Sequence, residues 1–475
     1  MNFLNGQAIC RCGVSRDVIR NISRNPNRDV STRGSGGDQA GRNHWLRQYR
    51  SGLLFLLMLT SSLTFSGAQA ANLTPAEFKQ LQAIQALQTE ARWLEVKSLV
   101  QEQLSSGDSS KQPSKLMQAM LWRALAQAEL QDADYPKALT AIRNAWQLKQ
   151  LPEADQLNLQ GLLAQLMIQQ DELDQGIVLF EDWLAKTPED QRQPRHYLTL
   201  AQAYSQQESW TKALPNAEEA VRRHESAPIA WLALVVGLHS RLEQWPQAVN
   251  VQKRILIQEP REMRHWRQLA MLQYRLPTDE SKQAVNPEAV ASLRIAWQQQ
   301  LFDRANDYQL LSQWLNANGQ PLKAAQVLAD AQQQSVFGEL SDEQQLVVAE
   351  QLSGLWLRAK AWDKAEQSLV QVAQQYAGQN NAERTTELYK QIARLQMQQK
   401  KWQAAGETLN TLLAEYPADP AEVLLLQGIV LLQQQQVEAA EGKFQLAEQT
   451  VDPDSDKYVG KNARQWLRYI EQIRS

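Results

Sequence analysis

Few side chains in this sequence could act as nucleophiles or bind a metal, and they are scattered. The two cysteines, Cys10 and Cys12, both lie near the N-terminus. Since disulfides, thiolate zinc sites and thiol nucleophiles all need cysteine, the rest of the chain is predicted to have none of them. Four histidines follow residue 70, and no two are spaced four residues apart as in a helical zinc site: His196, His224, His239 and His265.

Other candidate sites are incomplete. The acidic run at residues 452–456 has the alternating aspartates of a calcium-binding loop, but Lys457 replaces the required glycine and Ala463 the bidentate glutamate. Residues 442–443, Gly-Lys, lack the upstream glycine of a phosphate-binding loop. We therefore predict a non-enzyme with no catalytic residue, no cofactor and no metal. An enzyme or small-ligand binder whose site is assembled from distant segments remains an alternative.

The charge is distributed unevenly. The 475 residues contain 49 Lys and Arg and 52 Asp and Glu, a formal net charge of −3, but residues 1–50 hold nine Arg and only three acidic residues. From Ala71 onward the net charge is −9. A nucleic-acid binder needs clustered cations to displace counterions from phosphates, so no nucleic-acid partner is predicted.

The N-terminal region predicts export. Residues 51–70 follow three arginines and contain the apolar run 53–59, and Ala68 and Ala70 supply small residues at −3 and −1 of a cleavage site. We expect cleavage after Ala70. The alternative is an uncleaved membrane anchor, because residues 51–71 are uncharged and about 20 residues suffice to cross a bilayer.

Residues 1–50 form an Arg- and Asn-rich leader whose composition predicts disorder. Such a leader is unusually long for a signal. We favour a misassigned start codon, with translation beginning near Leu46, over a leader that exists in the cell.

Beyond the signal, the sequence predicts an all-α repeat. Ala, Leu, Gln and Glu dominate, and all of them favour helix. An aromatic residue recurs three positions before an alanine, as in Tyr135 with Ala138, Trp210 with Ala213, Trp245 with Ala248, Trp362 with Ala365 and Trp402 with Ala405; Ala440 lies at the same place after Val437. With Gly176, Ala289 and Ala324 in the intervening units, successive small residues of this kind are 35 to 41 positions apart. Such a period is typical of stacked helix pairs.

This pattern resembles the tetratricopeptide repeat, a pair of helices with small residues where the two cross. The units that carry the resemblance best contain Tyr197, Leu200, Ala201, Tyr204, Trp210 and Ala213, or Trp122, Leu125, Ala126, Tyr135 and Ala138. The resemblance implies a right-handed helical solenoid over residues 71–456, with about nine to ten helix pairs. Residues 457–475 are predicted to form a C-terminal capping helix with Trp466, Leu467, Ile470 and Ile473 on its inner face.

The resemblance also implies that peptide partners bind the concave face, which is formed mainly by the first helix of each pair. The family's concave positions correspond here to Arg195, Gln202, Arg241, Arg264, Arg267, Tyr274, Arg275, Lys390 and Arg394. Arginine can bind carboxylates through two hydrogen bonds, and glutamine can pair with peptide backbone. The alternative is a solvated helix face that binds nothing.

An exported chain of this kind resembles the periplasmic repeat proteins described as components of TonB energy-transducing systems in Gram-negative bacteria. That resemblance rests on overall architecture. It implies a non-catalytic scaffold that holds periplasmic segments of TonB, ExbB or ExbD during iron-complex uptake. The alternative within the same class is a scaffold for cell-envelope or polysaccharide-export assembly.

Overall fold

The computed structural model describes residues 73–105, 112–277, 284–416, 420–451 and 457–474. The chain divides at Thr74 into two units, and of the first unit only Leu73 and Thr74 are described. The cysteines, the predicted leader and signal, the cleavage site and the acidic run 452–456 lie outside the described residues. The predictions made for them therefore stay predictions.

The second unit is a succession of helix pairs. Its described part contains 21 α-helices and two 3₁₀ helices and no β-strand. The ten pairs are α1 (Pro75–Thr89) with α2 (Trp93–Leu104), α3 (Lys115–Gln131) with α4 (Tyr135–Gln147), α5 (Glu153–Gln169) with α6 (Leu173–Lys186), α7 (Pro194–Gln206) with α8 (Trp210–Arg222), α9 (Ile229–Arg241) with α10 (Trp245–Gln258), α11 (Met263–Tyr274) with α12 (Pro287–Gln298), α13 (Ala305–Ala317) with α14 (Pro321–Gln333), α15 (Asp342–Arg358) with α16 (Trp362–Gly378), α17 (Ala382–Gln398) with α18 (Trp402–Glu415), and α19 (Pro420–Gln433) with α20 (Val437–Thr450).

The last helix, α21 (Lys457–Arg474), follows these pairs, and the 3₁₀ helices Glu189–Gln191 and Val336–Glu339 precede α7 and α15. The predicted all-α class, with nine to ten helix pairs and a terminal helix, is confirmed. None of the described helices combines the length and apolar character needed to cross a bilayer.

Each helix packs mainly against its neighbours in sequence, so the core runs along the array. The alanines near the start of the second helices lie in this core, and all six are fully buried: Ala138, Ala213, Ala248, Ala365, Ala405 and Ala440. A methyl side chain at this place lets the two helices of a pair approach closely. The aromatic residues before them are only half-buried.

The remaining residues that carried the repeat pattern lie around the same helix crossings. Trp122 and Tyr197 are half-buried, and Tyr204 is buried with its hydroxyl donating to Glu181. Gln396 of α17 is a buried polar side chain in this region, and its amide donates to Glu366 at 2.7 Å. Burial of such a polar side chain is tolerated because its hydrogen bonds are made inside the array.

The turns inside the pairs share one backbone feature. In nine of the ten pairs, the residue two positions before the second helix has a positive φ, and only Gly319 among them is glycine. In the α7–α8 turn the Ser209 N–H donates to the Tyr204 carbonyl at 2.9 Å, which closes the end of α7. The exception is the pair α11 and α12, whose longer connection includes residues 278–283, outside the described part.

The terminal helix α21 covers the last pair. Trp466 stacks on Phe444 with ring centres 5.9 Å apart, and Ile470 is buried. The prediction for Ile473 was wrong, because its side chain is half exposed. It lies in the last turn of α21 and is not among the apolar residues that pack against α19 and α20.

Gly428 marks the tightest crossing in the last pair. A Cβ atom there would lie less than 3.0 Å from three ring carbons of Phe444, a distance that real Cβ atoms essentially never show. The phenyl ring is completely buried and is held by α21 on its other side. The ring therefore has little freedom to move away.

Gly428→Ala is expected to destabilise the protein by about 1–3 kcal/mol, because the added methyl group overpacks this crossing. Gly442→Ala in α20 is the matched control, since its Cβ would meet no atom within 4 Å. That change should stabilise the helix by up to about 1 kcal/mol. Urea unfolding followed by helicity measures both, and equal effects of the two substitutions would contradict the packing argument.

His196, in the first turn of α7, is buried against the aromatic rings of α6. Its ring centre lies 4.8 Å from that of Trp183, and its Nδ1 accepts the backbone N–H of Gln193 at 3.2 Å. Burial, with a contribution from the charge of Arg195, lowers the pKa of His196 to about 4. The folded protein therefore holds this imidazole in its neutral form.

This arrangement predicts a loss of stability in mild acid. Between about pH 6.5 and pH 4 the unfolded chain binds a proton at this histidine and the folded chain does not, so folding becomes less favourable as the pH falls. His196→Gln keeps an acceptor for the Gln193 N–H but does not titrate. From roughly pH 7 to pH 5, the wild type should lose about 2 kcal/mol more unfolding free energy than the variant. Urea unfolding at each pH measures both free energies. If the unfolding free energies of the wild type and the variant change in parallel with pH, the prediction is wrong.

Candidate functional site

The nine candidate residues lie on or at the ends of four first helices. Arg195 and Gln202 are on α7, Arg241 ends α9, and Lys390 and Arg394 are on α17; the others belong to α11, where Arg264, Arg267 and Tyr274 precede Arg275. The structure shows that these side chains are in very different states. Some of them form ion pairs with carboxylates of neighbouring helices, and others lie exposed on the surface.

Arg267 is held by the next pair. Its Nε donates to Asp307 Oδ1 at 2.8 Å and its Nη2 to Asp307 Oδ2 at 2.9 Å, and Nη2 also contacts Asp303. The Asp307 side chain is only 5% exposed. The hydrogen bond to Asp307 raises the pKa of Arg267, with burial opposing it. Arg267 thus joins α11 to α13 and is not available to a partner.

Lys390 and Arg394 converge on one carboxylate. The Lys390 ammonium lies 3.0 Å from Glu422 and 3.2 Å from Glu387, and Arg394 also pairs with Glu422. Burial alone would lower the pKa of Lys390, but the hydrogen bonds and charges of these glutamates raise it overall. With its side chain 5% exposed, Lys390 lies beneath the surface.

These contacts belong to a recurring arrangement that sequence reasoning missed. At four junctions, a charged residue in the middle of one first helix pairs with the third residue of the next first helix. The pairs are Arg123 with Asp155, Arg267 with Asp307, Glu350 with Arg384 in reversed polarity, and Lys390 with Glu422. The sequence signal for such an ion pair is a residue of opposite charge about one repeat further along the chain, in the first turn of a helix.

The other candidates are less constrained. Arg264 is 64% exposed and pairs with Glu259 at 2.9 Å. Arg195 is exposed and Gln202 half-buried. Tyr274 is 42% exposed, and its ring stacks on Trp314 at 5.4 Å between ring centres.

Arg241 and Arg275 differ from the rest because each lies over a tryptophan. The guanidinium carbon of Arg241 is 5.5 Å from the ring centre of Trp210, and that of Arg275 is 5.9 Å from Trp245. Both arginines are exposed. In each case an arginine at the end of one first helix covers the first residue of the second helix in the preceding pair.

The described residues contain no group of three or more His, Cys, Asp or Glu side chains placed to hold a metal ion. What the first helices offer is therefore a polar and partly apolar surface with arginine, glutamine and tyrosine on it. Such side chains can bind peptide backbone and carboxylates.

Arg267→Ala should destabilise the array by roughly 2–4 kcal/mol, because the buried Asp307 carboxylate loses its partner. The matched control is Arg264→Ala, which removes an exposed pair on the same helix and is expected to change stability by less than about 1 kcal/mol. Urea unfolding of both variants measures the difference. Similar values for the two would show that the Asp307 pair does not tie α11 to α13.

Comparison with known proteins agrees with the repeat architecture. The family model of the tetratricopeptide repeat matches residues 198–236 and 390–456. A comparison with curated protein sequences gave no significant match.

Among solved structures, the MamA protein is similar with 11% identity and a TM-score of 0.30, covering 38% of this chain and 92% of its own. YrrB, described as a TPR protein with an unusual peptide-binding site, shows 12% identity and a TM-score of 0.30 over 38% of this chain and 89% of its own. The P58(IPK) TPR domain shows 14% identity and a TM-score of 0.23 over 84% and 98%. Likenesses this distant carry no functional information. The described helix pairs show that the chain is a helical-repeat protein, and its segments 198–236 and 390–456 match the tetratricopeptide repeat.

Proposed function

We propose that the protein is a non-catalytic scaffold that holds segments of other proteins against the first helices of its array. The observation that carries this proposal is the continuous run of first helices α7, α9 and α11, whose exposed side chains include Arg195, Arg241, Tyr274 and Arg275. Stacked repeats present such side chains over an extended surface rather than in a closed cleft. A surface of this shape suits an extended peptide better than a small substrate.

The proposed location is the periplasm, and the proposed partners are periplasmic segments of TonB, ExbB or ExbD. The support for this is the export signal predicted at residues 51–70, with cleavage after Ala70, and the resemblance in overall architecture. An uncleaved signal would instead anchor the same scaffold in the inner membrane. In both cases the repeat array lies on the same side of that membrane.

In-cell crosslinking followed by pull-down of the exported protein under iron limitation tests this proposal, with mass spectrometry as the readout. Recovery of TonB, ExbB or ExbD is the expected result. Iron-replete cells serve as the control, and enrichment should be lower there if the scaffold acts in iron-complex uptake.

Recovery of polysaccharide-export or outer-membrane assembly proteins instead would contradict the TonB assignment but would still support the scaffold function. Failure to crosslink any envelope protein would contradict the scaffold itself. Size determination of the mature protein would decide separately whether the signal is removed.

A further inference from the structure

Two arginines of neighbouring pairs have no carboxylate partner among the described residues. Arg241 is the last residue of α9, and Arg275 directly follows α11, so the two hold equivalent positions one repeat apart. Their guanidinium groups instead contact Trp210 and Trp245 through the cation–π contacts given above. The other basic candidates on α11 and α17, by contrast, are paired with carboxylates.

The contact with tryptophan prepares these arginines for binding. A cation–π contact satisfies the charge of the guanidinium in part and does not occupy its N–H groups with an acceptor, so they can donate to a ligand. The ring also restricts the side chain, so less conformational entropy is lost when a ligand binds. A carboxylate suits this geometry, because it accepts two parallel hydrogen bonds from one guanidinium.

An apolar surface lies beside the two arginines. Gly237 is four residues before Arg241, and Met271 is four residues before Arg275, so each lies one turn away on the same side of its helix. A Cβ atom at Gly237 would meet nothing within 4 Å, which leaves open space above α9. Met271 is 45% exposed, and Tyr274 is 42% exposed.

The junctions around α9 leave this stretch without buried ion pairs of the recurring kind. At the place that Arg267 and Lys390 occupy in their helices, α7 has Leu198 and α9 has Ala233, both half-buried. Guanidinium groups without a carboxylate partner among the described residues thus lie one helical turn from the uncharged Gly237 and Met271. That combination is complementary to a ligand that carries both carboxylates and an apolar side chain.

We propose that Arg241 and Arg275, each backed by its tryptophan, form a site that binds an acidic segment of a partner protein. We call these four residues the Arg-Trp site. Two carboxylates of the segment bind the two guanidinium groups, and a large apolar side chain between them covers Gly237 and contacts Met271. This inference rests on the proposed scaffold function and names the chemistry of the segment that the scaffold holds. The net charge of −9 beyond residue 70 disfavours a nucleic-acid ligand at the same place.

Fluorescence anisotropy with the purified full chain tests the site. The probes are a labelled peptide in which glutamates flank a leucine and the same peptide with glutamine in place of glutamate. Arg241→Ala with Arg275→Ala should weaken binding of the glutamate peptide by about tenfold or more. The wild type should discriminate against the glutamine peptide to a similar degree, and raised salt should reduce the difference.

The matched control is Arg254→Ala with Arg261→Ala, which removes the same charge from exposed arginines of the same stretch. It should bind the glutamate peptide nearly as the wild type does. Arg241→Lys with Arg275→Lys should lie between the wild type and the alanine variant, since lysine keeps the charge without the planar donors. Circular dichroism should show unchanged helicity in all variants.

Three results would overturn the inference: no binding of the glutamate peptide to the wild type, equal binding of the two peptides, or an equal loss in the control variant. In the cell, wild-type crosslinks that persist in the Arg241 and Arg275 double variant would reject the site and leave the scaffold intact. Absence of crosslinks from the wild type would reject the scaffold, whatever the peptides show.

Discussion

No helix pair in this protein can bury its apolar surface alone, and the rest of the structure depends on that constraint. Each second helix must approach its partner closely and also present a face to the next pair. Fully buried alanines at the crossings make the close approach possible. The resulting clusters extend across several pairs, as between Met263 and Leu395, so that stability is shared along the array. A substitution that places a larger side chain at a helix crossing is therefore expected to destabilise neighbouring pairs as well.

The same constraint explains why charge enters the interior. Where first helices of successive pairs lie side by side, Arg267 and Lys390 are largely removed from water and need a carboxylate within reach. The carboxylates come from the first turn of the next first helix, where negative charge also suits the helix dipole. The junction of Glu350 with Arg384 has the opposite polarity, so the requirement is for a complementary pair and not for a particular sign.

This use of charge decides which part of the surface is left for binding. The basic residues of the first helices occupy similar positions in the sequence pattern, but the structure divides them into two groups. Some form ion pairs that join successive helix pairs, and others face solvent. Arg241 and Arg275 belong to the second group because their guanidinium groups lie over tryptophans rather than beside carboxylates. For the proposed scaffold, we therefore expect partners to bind at junctions whose charged side chains are not used in packing. Around α9 the junction is formed by small and apolar side chains instead.

The sequence by itself determined the helical class, the repeat period and the alanine crossings, because helix propensity and the spacing of apolar residues are local properties. It could not determine which of the basic residues are neutralised, since the partners Asp307 and Glu422 lie 40 and 32 residues away from Arg267 and Lys390. Nor could it show that the Ile473 side chain is half exposed. Only the stacking of successive pairs decides those contacts, because it brings distant residues within the few ångströms over which ion pairs and apolar contacts act.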